Sequence, residues 1–261
     1  MRPKASLGQN FLSDVGTARA VVVHGQIGPD APVLEVGPGR GFLTRYLLES
    51  GAQVTAVEKD TRLAASLQEA GHSGQLTVVE ADFTTLDLAP YEGRILVGNL
   101  PYNMSLVILR HALAVHSFWP RLVFMFQAEV ARRLCAEPGS KQYGIPSVMT
   151  ALTHSASVVR KVPPGAFFPR PKIDSALVLF EPLPRPLCSG QMREPFLSFV
   201  ADTFKYRRKT SSNAMSRAAN MPARDVSSAL LECGVAPMAR PETVGPAKLL
   251  QVWQHLFPPP V

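Results

Sequence analysis

The chain has 261 residues, of which 46% are hydrophobic and 18% charged, and its mean hydropathy is +0.07. These values exclude an intrinsically disordered chain and allow one large domain with a smaller one attached. No apolar stretch approaches the ~20 residues of a membrane-spanning helix, and no apolar core follows the first residues as in a secretory signal. The cysteines Cys135, Cys188 and Cys233 lack C-x-x-C spacing, which argues against a zinc site or a disulfide framework and favours the cytoplasm.

Basic charge is concentrated near the end of the chain. Lys and Arg outnumber Asp and Glu by 27 to 20 overall, by 17 to 15 in residues 1–182 and by 10 to 5 in residues 183–261. Such an excess is typical of a protein that binds a polyanion, most often nucleic acid, although a soluble basic surface has the same charge. Charge alone leaves both interpretations open.

Residues 30–182 alternate short apolar runs with helical patterns. This alternation predicts βαβ units that build a mostly parallel sheet covered by helices. Only a few residues around Pro163–Gly165 separate the last two runs, so we expect a hairpin and an antiparallel strand at the end of the sheet. The predicted strands are 33–36, 54–58, 76–82, 95–99, 122–126, 157–162 and 175–180, and the predicted helices are 42–50, 61–70, 105–116 and 127–136.

A proline-rich segment at 181–186 predicts a domain boundary, which divides the chain into residues 1–182 and 183–261. The part that follows has helical patterns and no strand signal. It therefore predicts a small all-helical domain. Its expected helices are 193–205, 211–219, 224–233 and 246–256.

The first predicted strand runs into Gly37, Gly39 and Gly41 and then into a helix. Glycines at this point let the backbone turn sharply and let a ligand touch the main chain, so we place Gly37 and Gly39 at a ligand. Because Phe42 stands where a dinucleotide fingerprint needs Gly or Ala, the loop suits a nucleoside better than a pyrophosphate. A purely structural turn has the same glycines.

Carboxylates end the next two predicted strands. Glu58 can accept hydrogen bonds from both ribose hydroxyls, and Asp82 can accept from an adenine amino group while Phe83 covers the ring. Either residue alone could be a helix cap, but two of them at consecutive strand ends beside a glycine-rich loop indicate a ligand crevice. An adenosine-containing cofactor without a phosphate requirement suggests S-adenosylmethionine.

The fourth predicted strand ends in Asn99, Leu100, Pro101 and Tyr102. The exocyclic amine of a base is a poor nucleophile because its lone pair is delocalised into the ring. The Asn99 side-chain oxygen and the Leu100 carbonyl can accept from both amine hydrogens and free that pair, while Pro101 fixes the turn and Tyr102 stacks on the base. The tetrapeptide predicts methyl transfer to a base amine; a strand followed by a plain proline turn is the alternative.

These residues are part of a series of motifs that closely resembles the ribosomal RNA adenine dimethyltransferases. The resemblance implies a Rossmann-like, S-adenosylmethionine-dependent methyltransferase fold with one antiparallel strand in a seven-stranded sheet. It implies that Asn99, Leu100 and Tyr102 hold the target adenine, with Phe167 on its other face. The cofactor contacts that it implies are Asn10, Leu12, Gly37, Glu58, Asp82 and Asn99. The motifs are Gly8–Leu12, Glu35–Gly41, Glu58, Asp82, Asn99–Asn103, Gln127–Val130, Ser140–Gly144 and Phe167–Ser175.

Within that family, Ser140–Gly144 and Asp174–Ser175 are similar to the small-subunit enzymes. The resemblance therefore implies dimethylation of two adjacent adenosines in the 3′-terminal hairpin of 16S rRNA, on the small ribosomal subunit or an assembly intermediate. We expect a cytoplasmic monomer that uses no metal and binds no membrane. Two alternatives stay open: a large-subunit rRNA methylase that confers antibiotic resistance, and a non-catalytic RNA-binding assembly factor.

The segment Phe204–Thr210 carries four cations and Tyr206 within seven residues. On a helix these cations cannot all face one core, and they repel one another unless a polyanion neutralises them. We predict that Lys205, Arg207 and Arg208 bind the RNA, the two arginines through phosphates. A solvated helix face, or ion pairs with acidic residues of the first domain, is the competing interpretation.

Overall fold

The computed structural model describes residues 10–70, 74–115 and 119–258, so Gly8 and Gln9 of the first motif lie outside the described residues. The chain divides into two compact units. The first comprises Met1–Ala131 with Ser155–Pro182, and the second comprises Arg132–His154 with Leu183–Val261. Among the described residues, no helix is long and apolar enough to cross a membrane.

Strands rich in valine, leucine and isoleucine form the centre of the first unit. The strands are β1 (Phe11–Leu12), β2 (Pro32–Val36), β3 (Gln53–Glu58), β4 (Leu76–Glu80), β5 (Ile95–Asn99), β6 (Leu122–Gln127), β7 (His154–Val162), β8 (Phe167–Phe168) and β9 (Ser175–Pro182). A seven-stranded sheet has the order β4-β3-β2-β5-β6-β9-β7, and β1 pairs with β8 in a separate ribbon. The pairs β2–β3, β3–β4, β2–β5 and β5–β6 are parallel, which confirms the predicted α/β fold.

The antiparallel strand does not lie where we expected it. β9 is antiparallel to β6, with Ser175 opposite Gln127, and it lies between β6 and β7 rather than at the edge of the sheet. The reason is burial: the side chains of Ser175–Phe180 are all buried, which suits an inner strand, whereas most of β7 is partly or fully exposed and suits an edge.

In the described part of the chain, the helices that follow or connect these strands are α1 (Val15–Gly25), α2 (Phe42–Glu49), α3 (Thr61–Glu69), α4 (Ser105–Ala112) and α5 (Ala128–Leu134). The sequence patterns did not predict α1. It begins after Asp14, whose carboxylate accepts a hydrogen bond from the Thr17 amide at 2.6 Å. Its buried Ala18 and Val21 join the apolar core beneath β2 and β6.

The second unit is helical, as expected. Its helices are α6 (Ile145–Ala151), α7 (Arg193–Phe204), α8 (Ser211–Ala219), α9 (Ala223–Glu232) and α10 (Pro246–Leu256). The buried ring of Phe196 on α7 packs 5.7 Å from that of Trp253 on α10, centroid to centroid.

Residues 132–154 pack in this second unit, whereas the predicted boundary at 182 assigned them to the first domain. Two long-range hydrogen bonds explain the difference. The Gly139 amide donates to the Glu242 carbonyl at 2.7 Å, and the buried Tyr143 hydroxyl donates to the Val244 carbonyl at 3.1 Å. Local sequence patterns do not predict hydrogen bonds between residues that lie about a hundred positions apart.

The basic segment Lys205–Lys209 is a turn, and its prediction as a helix is wrong; we call it the basic turn. α7 ends at Phe204, after which the Tyr206 amide donates to the Thr203 carbonyl at 3.0 Å and the Lys209 amide to the Tyr206 carbonyl at 2.8 Å. Each of these bonds spans three residues rather than the four of an α-helix. Thr210 then caps α8.

Candidate active site

A cavity of about 630 Å³ lies at the carboxyl ends of strands β2, β3, β4 and β5. Parallel neighbouring strands end at the same edge of a sheet, so the turns that follow them converge there. Most of the predicted cofactor and catalytic residues line this cavity. They are Asn10, Leu12, Gly37, Gly39, Glu58, Asp82, Asn99, Leu100 and Pro101.

Gly39 lies in the glycine-rich turn beside Phe11. Its φ is +59°, and a Cβ at this position would lie 3.0 Å from the ring of Phe11, which also lines the cavity. The Gly39 amide donates to Glu58 Oε2 at 3.0 Å. Glycine is therefore required both by the backbone conformation and by the close approach of Phe11.

The Glu58 carboxylate is buried at the end of β3 and is held by the backbone on two sides. Its Oε1 accepts from the Asp60 amide at 2.8 Å, and its Oε2 accepts from Gly39. Burial raises the pKa of Glu58 above its usual value, although these hydrogen bonds oppose the shift. A carboxylate has about four lone-pair sites, so Glu58 keeps acceptor capacity on the side of the cavity.

Asp82 is a helix cap and an ion-pair partner. Its Oδ1 accepts from the Thr84 amide at 2.9 Å, and its Oδ2 lies 2.6 Å from the Lys59 ammonium. The hydrogen bond from Lys59, together with those from Thr84, lowers the pKa of Asp82 to about 2. Asp82 therefore faces the cavity as a carboxylate at neutral pH.

Glu35 and Lys59 are among the cavity residues that were given no role from the sequence. Glu35 is 1% exposed, accepts from the Thr44 hydroxyl at 2.7 Å, and its pKa is raised by burial to about 8. Lys59 contacts Asp82 as described above. Position within the glycine-rich motif was the available signal for Glu35, whereas Lys59 follows Glu58 directly and gave no separate signal.

Asn99 ends β5 in the wall of the cavity. Its side-chain Nδ2 donates to the backbone carbonyl of Asn10 at 2.8 Å, although the two residues lie 89 positions apart in the chain. The Asn99 Oδ1 is then the acceptor that this side chain offers. Leu100 and Pro101 continue the wall, and the Leu100 side chain is buried.

Tyr102 and Phe167 were predicted to hold the target base, and neither lines this cavity. The Tyr102 hydroxyl lies 2.7 Å from the hydroxyl of the buried Ser175, the first residue of β9, and burial raises the pKa of Tyr102. Phe167 is 4% exposed because it points into the apolar core from β8. The next residue, Phe168, is 62% exposed.

The basic turn was predicted to bind RNA, but two of its cations are paired within the second unit. Lys205 Nζ lies 2.5 Å from Asp202 Oδ1. Arg207 donates to Glu242 Oε2 from both Nε and Nη2, at 2.9 and 2.7 Å. Arg208 is exposed and has no ion-pair partner among the described residues.

The described residues contain no group of three or more His, Cys, Asp or Glu side chains that could hold a metal ion. The polar groups of the cavity are instead hydrogen-bond acceptors and donors. The site can therefore bind a polar organic ligand at the sheet edge, between the carboxylates of Glu58 and Asp82 and the amide of Asn99.

Comparison with known proteins agrees with this geometry. Residues 1–255 match the family model described as ribosomal RNA adenine dimethylase. The ribosomal RNA small subunit methyltransferase A of Syntrophotalea carbinolica is 39% identical over 265 residues, covering 98% of each chain. That of Mycobacterium tuberculosis is 42% identical over 255 residues, covering 93% of this chain and 80% of its own.

Solved structures show the same fold. The 23S rRNA methyltransferase ErmE is 32% identical, with a TM-score of 0.71 over 95% of this chain and 99% of its own. A dimethyladenosine transferase from Plasmodium falciparum is 20% identical, with a TM-score of 0.78 over 94% of this chain and 96% of its own.

Proposed function

Because the chain belongs to the ribosomal RNA adenine dimethylase family, we propose that it dimethylates the exocyclic amines of two adjacent adenosines in the 3′-terminal hairpin of 16S rRNA. S-Adenosylmethionine is the cofactor. One observation carries the proposal: Asn99, which can accept from a base amine, lies in the wall of the same cavity as Glu58 and Asp82.

The polar groups of the cavity fit S-adenosylmethionine. We assign the ribose hydroxyls to Glu58, whose buried carboxylate retains acceptor sites after bonding Gly39 and Asp60. We assign the adenine amino group to Asp82, which has a low pKa and is therefore ionised. Asn10, Leu12, Gly37 and Gly39 complete the proposed cofactor site, which needs no phosphate-binding helix and no metal.

The residues at the end of β5 would make the target amine more nucleophilic. Asn99 Oδ1 and the Leu100 carbonyl accept from its two hydrogens, which draws the nitrogen toward tetrahedral geometry and frees its lone pair. When bound, S-adenosylmethionine supplies an electrophilic methyl group. The proton leaves the nitrogen after alkylation, so a strong general base is not required, and positioning carries most of the rate enhancement.

Tyr102 would stack on the target adenine, with Ser175 holding its hydroxyl and hence the plane of its ring. Phe167 is a proposed contact of the opposite face, which its ring would reach from the apolar core. The target adenosine has to leave its stack to reach these residues, as is usual for enzymes that modify a base.

The substrate would be the small subunit or an assembly intermediate of it, and we propose that the protein acts as a cytoplasmic monomer. Residues 183–261 would act as an rRNA-binding domain, with Arg208 the best-placed cation of the basic turn. Lys205 and Arg207 would reach phosphates only by exchanging their carboxylate partners for RNA. The relatives named as small subunit methyltransferases support the choice of the small subunit.

The test is transfer of tritiated methyl groups into small subunits from a strain that lacks this methylation, followed by mapping of the labelled nucleosides. We expect the label in two adjacent adenosines near the 3′ end of 16S rRNA. The likeness to ErmE makes a large-subunit methylase the second candidate, which predicts label in 23S rRNA instead. Binding without any transfer would support the non-catalytic assembly factor.

A further inference from the structure

The loop between β8 and β9, residues Pro169–Asp174, is attached to the candidate active site at both ends. At one end, Phe168 pairs in the β1–β8 ribbon with Phe11, which lines the cavity. At the other end, Ser175 bonds the hydroxyl of Tyr102, which directly follows the cavity wall. The loop therefore forms part of the rim of the site that would receive the target adenosine.

Two apolar side chains of this rim are exposed to water, although burial would be more favourable for them. Phe168 is 62% exposed and Ile173 is 46% exposed, whereas Phe167 next to them is 4% exposed. The alternation of a strand explains why one phenylalanine is inside and the other outside, but a polar residue would fill the outer position at lower cost. An exposed aromatic ring beside a ligand site offers an apolar face on which a planar ligand can stack.

Two cations lie between these apolar residues in the chain. Arg170 and Lys172 are exposed, and neither forms an ion pair with any residue of the described ranges. Asp174 is the one carboxylate of the loop. Across the ribbon, the Arg40 guanidinium lies 4.7 Å from the centroid of the Phe11 ring. In the basic turn, by contrast, carboxylates already neutralise Lys205 and Arg207.

We propose that this loop binds the single-stranded RNA beside the target adenosine, with a neighbouring base stacked on Phe168 and phosphates on Arg170 and Lys172. The inference rests on the proposed function. An exposed aromatic ring followed by two cations fits a nucleotide strand, because bases offer faces for stacking and the backbone offers one negative charge per nucleotide. An apolar protein partner would leave the two cations without a role, so RNA is the occupant that we infer.

Two sets of variants separate stacking from charge. Phe168→Ala should raise the KM for undermethylated small subunits roughly 5- to 100-fold, the range for loss of one stacked base, while Phe168→Trp should restore it. Arg170→Gln/Lys172→Gln should weaken subunit binding and flatten its salt dependence by roughly 0.7 log units per lost contact. The matched control is Arg19→Gln/Lys161→Gln, which removes the same charge from exposed positions that do not line the cavity.

Affinity for S-adenosylmethionine, measured by calorimetry, should be unchanged in all of these variants. A KM unchanged in Phe168→Ala, or a salt slope equal to that of the Arg19/Lys161 control, would overturn the inference. Weakened binding in Phe168→Ala with an unaltered slope in the Arg170/Lys172 variant would indicate an apolar protein partner instead. If the unsubstituted protein methylates no RNA, the proposed function fails, whereas filter binding of subunits still tests the loop separately.

Discussion

The cavity of the first unit and the basic turn of the second unit both contain several charged groups. They differ in that carboxylates of the cavity are buried, whereas the cations of the turn lie at the surface. In the cavity, Glu35 and Glu58 are withdrawn from water, and burial raises the pKa of both. In the basic turn, Lys205 and Arg207 lie at the surface beside the carboxylates of Asp202 and Glu242. A buried carboxylate with unused acceptor sites is costly and points to a ligand, whereas a surface cation with a partner does not.

The largest effect is expected at Asn99, a neutral residue of the cavity. Asn99→Ala should lower the rate of methyl transfer at saturating cofactor by about 100-fold or more, the usual cost of losing one preorganised polar group of this kind. RNA affinity should hardly change, because phosphate contacts dominate it. Single-turnover kinetics with undermethylated small subunits measures the rate, and filter binding measures the affinity.

Asn213→Ala is the matched control, since Asn213 is an exposed asparagine of α8 in the other unit. Normal turnover in Asn99→Ala would refute polarisation of the amine and place the chemistry elsewhere.

The next effect concerns Glu58. Glu58→Ala should weaken cofactor binding by about 1–3 kcal/mol through the loss of charged hydrogen bonds. Because the pKa of Glu58 is raised, affinity of the unsubstituted protein should fall as the pH falls through that pKa, since a proton then competes with the ribose hydroxyls. Calorimetry at a series of pH values from the ordinary glutamate range upward tests this dependence.

Glu58→Gln should remove the pH dependence together with the carboxylate. Asp82→Asn should weaken binding by a factor that does not vary over the same range, because the pKa of Asp82 is about 2. Equal pH profiles for Glu58→Gln and the unsubstituted protein would argue against ribose binding by Glu58.

Glu35 should affect how the free energy of unfolding depends on pH. Its folded pKa of about 8 lies above the ordinary value of 4.5, so between these values the folded chain binds more protons than the unfolded chain. Stability due to Glu35 is therefore greatest at low pH and is lost as the pH rises toward 8. Glu35→Gln keeps an acceptor for Thr44 and removes the titration. Between about pH 5 and 8, the free energy of unfolding of this variant should therefore rise by roughly 2–4 kcal/mol relative to that of the unsubstituted protein.

Urea denaturation at several pH values measures this difference. Glu49→Gln, which changes an exposed glutamate paired with Arg45, should show no such trend. If the curves of Glu35→Gln and the unsubstituted protein stay parallel, the buried carboxyl is not protonated near neutral pH.

The smallest effect separates the cations of the basic turn. Arg208→Gln should flatten the salt dependence of subunit binding by roughly 0.7–0.9 log units if it loses one phosphate contact. Arg207→Gln should change that slope less, and it should lower stability by less than about 1 kcal/mol because its ion pair with Glu242 is partly exposed. Filter binding at several salt concentrations, with thermal denaturation, distinguishes the two. Equal slopes would mean that Arg207 leaves Glu242 for the RNA.

Much of the cavity could be predicted because backbone topology determines it. Once 33–36, 54–58 and 95–99 are parallel strands, the residues that end them meet at one edge, whatever their side chains do. The helices of the second unit were equally accessible, since their apolar periodicity is local. Helix α1 was missed altogether, because the signal for its start is a single capping aspartate, Asp14.

Side-chain partners were harder to predict. The pairing of Arg207 with Glu242 joins residues 35 positions apart, and that of Lys59 with Asp82 joins residues 23 positions apart. Such pairs depend on tertiary packing, which has no period in the sequence. The same reason explains why residues 132–154 were assigned to the first domain, and why Phe167 was expected at an open site rather than in the core.

In the proposed mechanism, the hydrogen bond between Asn99 and Asn10 would orient the Asn99 side chain for the chemistry. A side-chain amide can rotate by half a turn and present its nitrogen where its oxygen was, so its usefulness as an acceptor depends on orientation. A backbone carbonyl only accepts, and the one at Asn10 therefore requires the nitrogen of Asn99 on its side. Deletion of residues 1–10 would remove this carbonyl, and the Asn99 side chain could then rotate and turn its Nδ2, a donor, toward the hydrogens of the target amine. This truncation should therefore slow methyl transfer more than it weakens RNA binding.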